Sequence, residues 1–226
     1  MSKCKLTVAD GFAPELIAGA HLEDFFDIPC LEPVKELIVS QGLIPFSKRK
    51  RSRDHGEFAA FYEHYVKFAD FVLRPEFYSE ELCRFRGVIT PDCSLYRDVP
   101  PGMQILNTYR SRMLGYQCQQ RGCYVIANVR WSDELSYTTC LYPVKFAFLG
   151  VPKHSVVSVS TYGCIKSREN KYYFKQGLKA MLEELQPLIV LVYGAMSKEV
   201  FGEFEHLTRF VHYRDWISLC KSKEAA

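Results

Sequence analysis

The sequence predicts an α/β fold built on a mostly parallel sheet, and three observations carry that prediction. Leu188–Tyr193 (LIVLVY) is apolar throughout, as a strand is when helices cover both faces of its sheet. Strand-like and helix-like runs alternate along most of the chain, the order that gives right-handed βαβ units. Several strand runs also end abruptly in polar side chains, above all Gly87–Tyr96 (GVITPDCSLY) and Tyr124–Asp133 (YVIANVRWSD). The chain has 226 residues. A full eight-unit barrel takes ~250, so about six to seven βα units suit a small or incomplete (β/α) barrel. An open Rossmann-like sheet is the alternative. Polar endings on many strands, rather than on two, favour the barrel.

The elements follow in order. Residues 1–226 read as a single α/β domain, with 1–42 as a helical or irregular lead. Ala13–Ala20 can form a helical turn, and Pro33–Ser40 (PVKELIVS) reads as a helix with proline at its first position. Gly42 stops it, and Leu43–Phe46 is a short strand. After a basic loop, Tyr65–Asp70 is a strand candidate, and Ser79 is placed to cap a helix through Glu80–Leu82. Val88–Asp92 is a strand, Pro100–Arg121 a helix closed by Gly122, and Tyr124–Val129 a strand. Leu135–Lys153, punctuated by Pro143, Gly150 and Pro152, reads as short pieces. Val156–Thr161 is a strand. In Asn170–Leu185, Phe174, Leu178, Met181, Leu182 and Leu185 repeat with helical period. Leu188–Tyr193, a short helix at Ser197–Phe204 and a last strand at Arg209–Tyr213 complete the chain.

Composition narrows the class of protein. The chain is 48% hydrophobic, enough for a core that needs no crosslinks and too much for a disordered chain. It carries nine cysteines, an odd number. Cys83, Cys93, Cys118, Cys140 and Cys164 lie inside strand- or helix-like runs, so buried thiols in a reducing cytosol are expected. There is no CxxC pair, and Cys118 and Cys123, flanking QQRG, make a poor zinc set. The start MSKCKLTVADG lacks the apolar core of a secretory signal, and no apolar run is long enough to span a membrane. A cytoplasmic protein with no membrane partner is therefore expected. The net charge of +3 is local in origin, because Lys48, Arg49, Lys50, Arg51 and Arg53 supply it and the remainder is slightly acidic.

In a parallel sheet the strand carboxyl ends share one face, where ligands bind. That face would collect Asp70, Asp92, Ser94, Asn128, Arg130, Ser160, Thr161, Tyr193 and His212. Asp92, set by Pro91 at a strand end, is the candidate catalytic carboxylate, as base, nucleophile or metal ligand. Its alternative is a turn cap. Arg130 offers a planar fork for an anion and Trp131 a stacking face, with Asp133 beside them. A salt bridge and a core aromatic would be the plainer reading. Asn107 and Arg110, one helical turn apart, could reach the rim. Otherwise Arg110 belongs to a solvated row with Arg112 and Arg121. Ser94 and Asp70 complete the proposed substrate-binding set. The basic loop is either solvated or a contact for nucleic acid.

No GxGxxG, GxxxxGK[ST] or GxSxG occurs, which removes support for dinucleotide cofactors, P-loop hydrolysis and the α/β-hydrolase mechanism. A Ser94–His212–Asp70 set is no more than any α/β chain would offer. No metal set is assigned. The cofactor stays open, with a divalent cation between two aspartates as the alternative.

The motif order resembles an uncharacterised family from bacteria, their phages and mobile elements, described only as a domain of unknown function. The matching stretches include Asp27-Ile28-Pro29, Gly87–Asp98, Asn107-x-Tyr109-Arg110-x-Arg112, Val129–Asp133, Phe174-x-x-Gly177 and Tyr193-Gly194. The resemblance implies a cytosolic phage or bacterial protein and carries no reaction with it. The residues themselves suggest an enzyme acting on a nucleic-acid, nucleotide or nucleoside-like substrate. The alternative is a non-catalytic protein that binds nucleic acid, another phosphate-containing ligand or a protein partner.

Overall fold

The computed structural model describes residues 13–224, so the reading of the N-terminal start as free of a secretory signal lies outside the described residues. After a 3₁₀ turn at Pro14–Ile17, β1 (Leu22–Glu23) and β2 (Ile28–Pro29) form a small antiparallel pair. The main sheet takes β3 (Leu43–Pro45), β4 (Phe58–Ala60), β5 (Gly87–Ile89), β6 (Val125–Asn128), β7 (Val156–Ser160), β8 (Ile189–Tyr193) and β9 (Arg209–Tyr213). Between and after them run α1 (Ala69–Leu73), α2 (Pro75–Leu82), α3 (Pro101–Gln120), α4 (Glu134–Tyr137), α5 (Arg168–Leu185), α6 (Lys198–Phe201) and α7 (Trp216–Glu224).

Neighbouring strands of the main sheet are all parallel and stand in chain order from β3 to β9. A doubly wound sheet needs a reversal of strand order, so the open Rossmann-like alternative is set aside. The sheet curls instead into an incomplete barrel flanked by helices. β3 and β9 are not ladder partners. Their seam is bridged by the buried Tyr213 hydroxyl, which donates to the Ser40 carbonyl at 3.0 Å.

Strand periodicity divides the apolar residues between the two surfaces of the curl. On β8, Val190 and Val192 face a cluster with α5 residues Leu178, Met181 and Leu182. Ile189, Leu191 and Tyr193 face the interior with Leu43, Phe58, Ile89, Ile126 and Val156. The interior changes character along the strands. β7 runs from Val156 to Ser158 and Ser160, β6 from Ile126 to Asn128, and β4 from Phe58 and Ala60 toward Tyr62. Apolar side chains therefore fill the amino-terminal end, and polar ones gather where the strands finish.

Three expected elements take other forms. Pro33–Ser40 is not helical. Val34, Ile38 and Val39 pack against the interior cluster, while the Val34 amide donates to Ser155 and the Ile38 amide to the Tyr124 hydroxyl. These tertiary hydrogen bonds replace those of a helix, and the segment closes the lower end of the barrel. Tyr65–Asp70 is a 3₁₀ turn (Tyr65–Lys67) running into α1. The strand at this point of the chain is the earlier Phe58–Ala60. Ser79 lies within α2, where its hydroxyl donates back to the Pro75 carbonyl and lies 2.7 Å from the Gln117 side chain instead of capping.

The long helices match their patterns. α3 stops before Gly122, whose φ of +88° suits a residue without a side chain. α5 is capped by Ser167, which accepts from the Asn170 amide. Among the cysteines, Cys93 and Cys118 are buried thiols, whereas Cys140 is exposed. Cys83 departs from expectation: it is joined to Cys123 in a disulfide that ties the end of α2 to the start of β6. No helix among the described residues is long and apolar enough to cross a membrane.

Candidate functional site

The polar strand ends surround a cavity of about 1390 Å³. Pro45, Tyr62, Asp92, Arg130, Ser160, Tyr193 and Asp215 line it, so the carboxyl end of every strand of the main sheet contributes.

Its floor is a connected network. Asp92 Oδ1 lies 2.9 Å from Arg130 Nε and accepts from Asn128 Nδ2 at 3.2 Å. The Arg130 Nε hydrogen is not in line with that oxygen, so the contact is an ion pair rather than a directed hydrogen bond. Arg130 also donates to the Ser160 carbonyl at 3.0 Å and to the Cys164 sulfur at 3.2 Å. Burial alone would lower its pKa, but Asp92 and Cys164 hold the guanidinium above its ordinary value. Asn128 Oδ1 in turn accepts from the Tyr62 hydroxyl at 3.2 Å, which lies 2.6 Å from the Ser158 hydroxyl. Burial pushes the Tyr62 phenol far up, so it serves as a neutral hydroxyl. Tyr62 and Tyr193 stack with centroids 4.8 Å apart.

A second arginine supports this floor from behind. Arg112 is only 2% exposed and donates to the carbonyls of Leu149, Asn128 and Ala147 at 2.9, 2.9 and 3.3 Å. It has no carboxylate partner among the described residues, and burial lowers its guanidinium to about 10. The expected solvated row of Arg110, Arg112 and Arg121 therefore fails at Arg112. It pins α3 to the end of β6 and to the segment before Gly150, and so fixes the backbone of Asn128.

The rim differs. Lys48, Lys67 and Arg110 line the cavity and enter no ion pair or side-chain hydrogen bond among the described residues. Asp98 is likewise unpaired, while Arg97 is tied to Glu169 at 2.7 Å. Asp215 accepts from the amide and hydroxyl of Ser218 at the start of α7. Tyr65, Tyr96 and Tyr162 expose about half of their surface around the opening.

The sequence candidates are sorted by this geometry. Asp92, Ser94, Asn107, Arg110, Arg130 and Trp131 all line the cavity, and Asn107 Nδ2 donates to the Ser94 carbonyl at 2.9 Å. Trp131 is 9% exposed and packs against Phe174. A side chain at Gly177 would meet its ring at 2.2 Å, so α5 approaches this closely only because that position lacks a Cβ. Asp133 stands outside the lining and caps α4, accepting from the Leu135 amide. Asp70 does not end a strand. It sits on α1, paired with Arg74 and Tyr78 and outside the lining. The Ser94–His212–Asp70 set is thus not assembled; His212 Nε2 contacts the Gly194 carbonyl. No group of three potential metal ligands occurs among the described residues.

The basic loop forms a 3₁₀ turn, Phe46–Arg51. Of its five cations only Lys48 lines the cavity. Arg49 is bound to Glu81 at 2.9 Å and lies over the Phe46 and Tyr78 rings, while Lys50, Arg51 and Arg53 are exposed away from the lining. Sequence reasoning missed Tyr62, Ser158, Lys67 and Arg112. The signal for Tyr62 was the apolar run Phe58–Phe61 just before it, too short to stand out. Ser158, flanked by valines in VVSVS, pointed inward by alternation alone.

Comparison with known proteins finds relatives encoded by two phages. It is similar to the Gene 1 protein of Mycobacterium phage L5, with 27% identity over 199 residues, spanning 85% of this chain and 83% of the relative. It is also similar to the Gene 1 protein of Mycobacterium phage D29, with 32% identity over 110 residues, which is 49% of this chain and 38% of the relative. No solved structure matches significantly. The model of the DUF4417 family, a domain of unknown function, matches residues 20–214, and the chain belongs to that family.

Proposed function

We propose that the cavity is the active site of an enzyme acting on a nucleotide-like substrate, with Asp92 as its catalytic carboxylate. One observation carries this reading. Asp92 has one oxygen held by Arg130 and Asn128, its other oxygen has no partner among the described residues, and it lines the floor of a cavity whose unpaired charges are mainly cations. As the anionic member of an ion pair, Asp92 suits a base or a nucleophile. As a base, Oδ2 takes a proton from water, whose oxygen bonds to the sugar carbon or phosphorus while the leaving group departs with the electron pair and takes a proton from solvent. As a nucleophile, Oδ2 forms that bond itself and water then hydrolyses the intermediate. Arg130 positions Asp92 as much as it offers charge, because Nε pairs with Asp92 and Nη1 is engaged by Ser160 and Cys164. Arg110 and Lys67 are available to phosphate, and Trp131 walls the cavity.

Release of base or phosphate from nucleosides, nucleotides and short oligonucleotides tests the proposal, with and without magnesium. Asp92→Asn should abolish turnover and change the melting temperature little, because the amide oxygen still faces Arg130. Loss of the fold in Asp92→Asn would assign the residue to structure. The second reading is a binding protein without turnover, favoured by the engagement of Arg130 within the protein; ligand binding undiminished in Asp92→Asn, with no product formed, selects it. We take the cytoplasm as the place of action. Cys83 and Cys123 would there be thiols, so alkylation of both in protein quenched directly from cells is expected.

A further inference from the structure

The unpaired cations of the rim lie on one side. Lys48 follows β3, Lys67 follows β4, and Arg110 stands on α3, which follows β5. These three strands are adjacent. With neighbouring strands about 5 Å apart, the arc spans roughly 10 Å before its loops are added. Two outward-facing rings punctuate it, Tyr65 at 47% and Tyr96 at 60% exposure. On the β8–β9 side, Tyr193 and Trp216 are engaged with each other through the Tyr193 hydroxyl and the Trp216 amide, and Asp215 is held by Ser218.

We propose that the substrate is a single-stranded nucleic acid, lying across the β3–β5 arc and offering one nucleotide to the floor. This rests on the nucleotide reading above and names the class of substrate. Three cations separated along an arc match phosphates spaced along a strand; the adjoining phosphates of one free nucleotide would call for a single cluster. Exposed tyrosines at intervals give stacking faces to bases with free π surfaces, which a duplex withholds. The contiguous basic run is not this surface, because Arg49 is committed to Glu81 and only Lys48 reaches the cavity. Among the described residues on this side of the lining, the acids Asp98 and Glu63 have no cation partner, Glu63 being held by Ser47; both repel phosphate and limit the path.

The test is fluorescence anisotropy with labelled single strands of about 12 nucleotides, as DNA and as RNA, beside the matching duplex and a mononucleotide competitor. Tighter binding of either single strand than of the duplex, increasing with length, is expected. The combined Lys48→Ala, Lys67→Ala and Arg110→Ala variant should flatten the slope of log affinity against log salt by about 2, the share of three phosphates on a single strand. Tyr65→Ala and Tyr96→Ala should each weaken binding about tenfold. Lys50→Ala with Arg51→Ala and Arg53→Ala should leave the slope unchanged. Circular dichroism establishes that each variant is folded. A mononucleotide that binds as tightly as the long strand, an equally tight duplex, or an unchanged slope in the rim variant overturns the proposal and leaves the nucleotide reading standing. Failure of every nucleotide and oligonucleotide to bind removes both.

Discussion

At the floor of the cavity each arginine is held by the protein: Arg130 by Asp92, Ser160 and Cys164, and Arg112 by three carbonyls. At the rim, Lys48, Lys67 and Arg110 have no such partner among the described residues. The two regions come from the same strand ends, and the difference separates two tasks. A buried charge without partners is costly, so the floor arginines are paired within the protein and their positions are set before any ligand arrives. Solvated cations need no partner and remain available for one. Removal of a floor arginine should therefore be read in stability, and removal of a rim cation in binding.

The largest effect is expected at Arg112. Arg112→Met keeps length and removes the donors, leaving three carbonyls unsatisfied beside Asn128, and chemical denaturation should show a loss of about 3–5 kcal/mol. A loss below about 1 kcal/mol would mean that water or a neighbour replaces the guanidinium and that Arg112 does not hold the floor. Gly177→Ala comes next, since its Cβ would meet Trp131 at 2.2 Å; a shift of helix and ring should cost about 2 kcal/mol. Smaller again is an alkaline effect. Burial pushes the Cys93 and Cys118 thiols up to about 12 from 9.0. With the folded value raised, their contribution is complete below pH 9 and fades as pH rises toward 12. Stability at pH 10 should be lower by about 1 kcal/mol per thiol, and Cys93→Ala should remove its share of that dependence in urea melts taken from pH 8 to 10. Smallest are the rim substitutions, with Lys48→Ala and Lys67→Ala each within about 0.5 kcal/mol of the parent. A larger loss at either would place it in the structural set.

Legibility in the sequence followed how much of an element's burial is local. β8 is covered on both faces and α5 on one regular stripe, so LIVLVY and the Phe174–Leu185 pattern read directly. Asp92 and Arg130 were marked because each follows an apolar run, and parallel pairing brought them within 2.9 Å. Pro33–Ser40 misled because hydrogen bonds to Ser155 and Tyr124, more than a hundred and about ninety residues' reach along the chain respectively, decide its shape. Tyr65–Asp70 has a strand's mixture of residues, yet Val66 is 82% exposed and Phe68 fully buried, which a turn entering a helix produces. Asp70 was lost to the site with that segment, and Asp133 became a cap. Arg112 was invisible as a buried residue, since only the tertiary fold supplies carbonyls from two distant segments.

The ligand we propose bears a nucleotide and occupies the mouth formed by the ends of β3–β9, over the Asp92–Arg130 floor. A crystal of the Asp92→Asn variant soaked with a short single strand and magnesium tests this most directly. Ordered density is expected in the cavity, with phosphate oxygens within hydrogen-bond reach of Lys48, Lys67 or Arg110 and one nucleotide facing residue 92. Density on another face of the protein, with the cavity left to water, would contradict it.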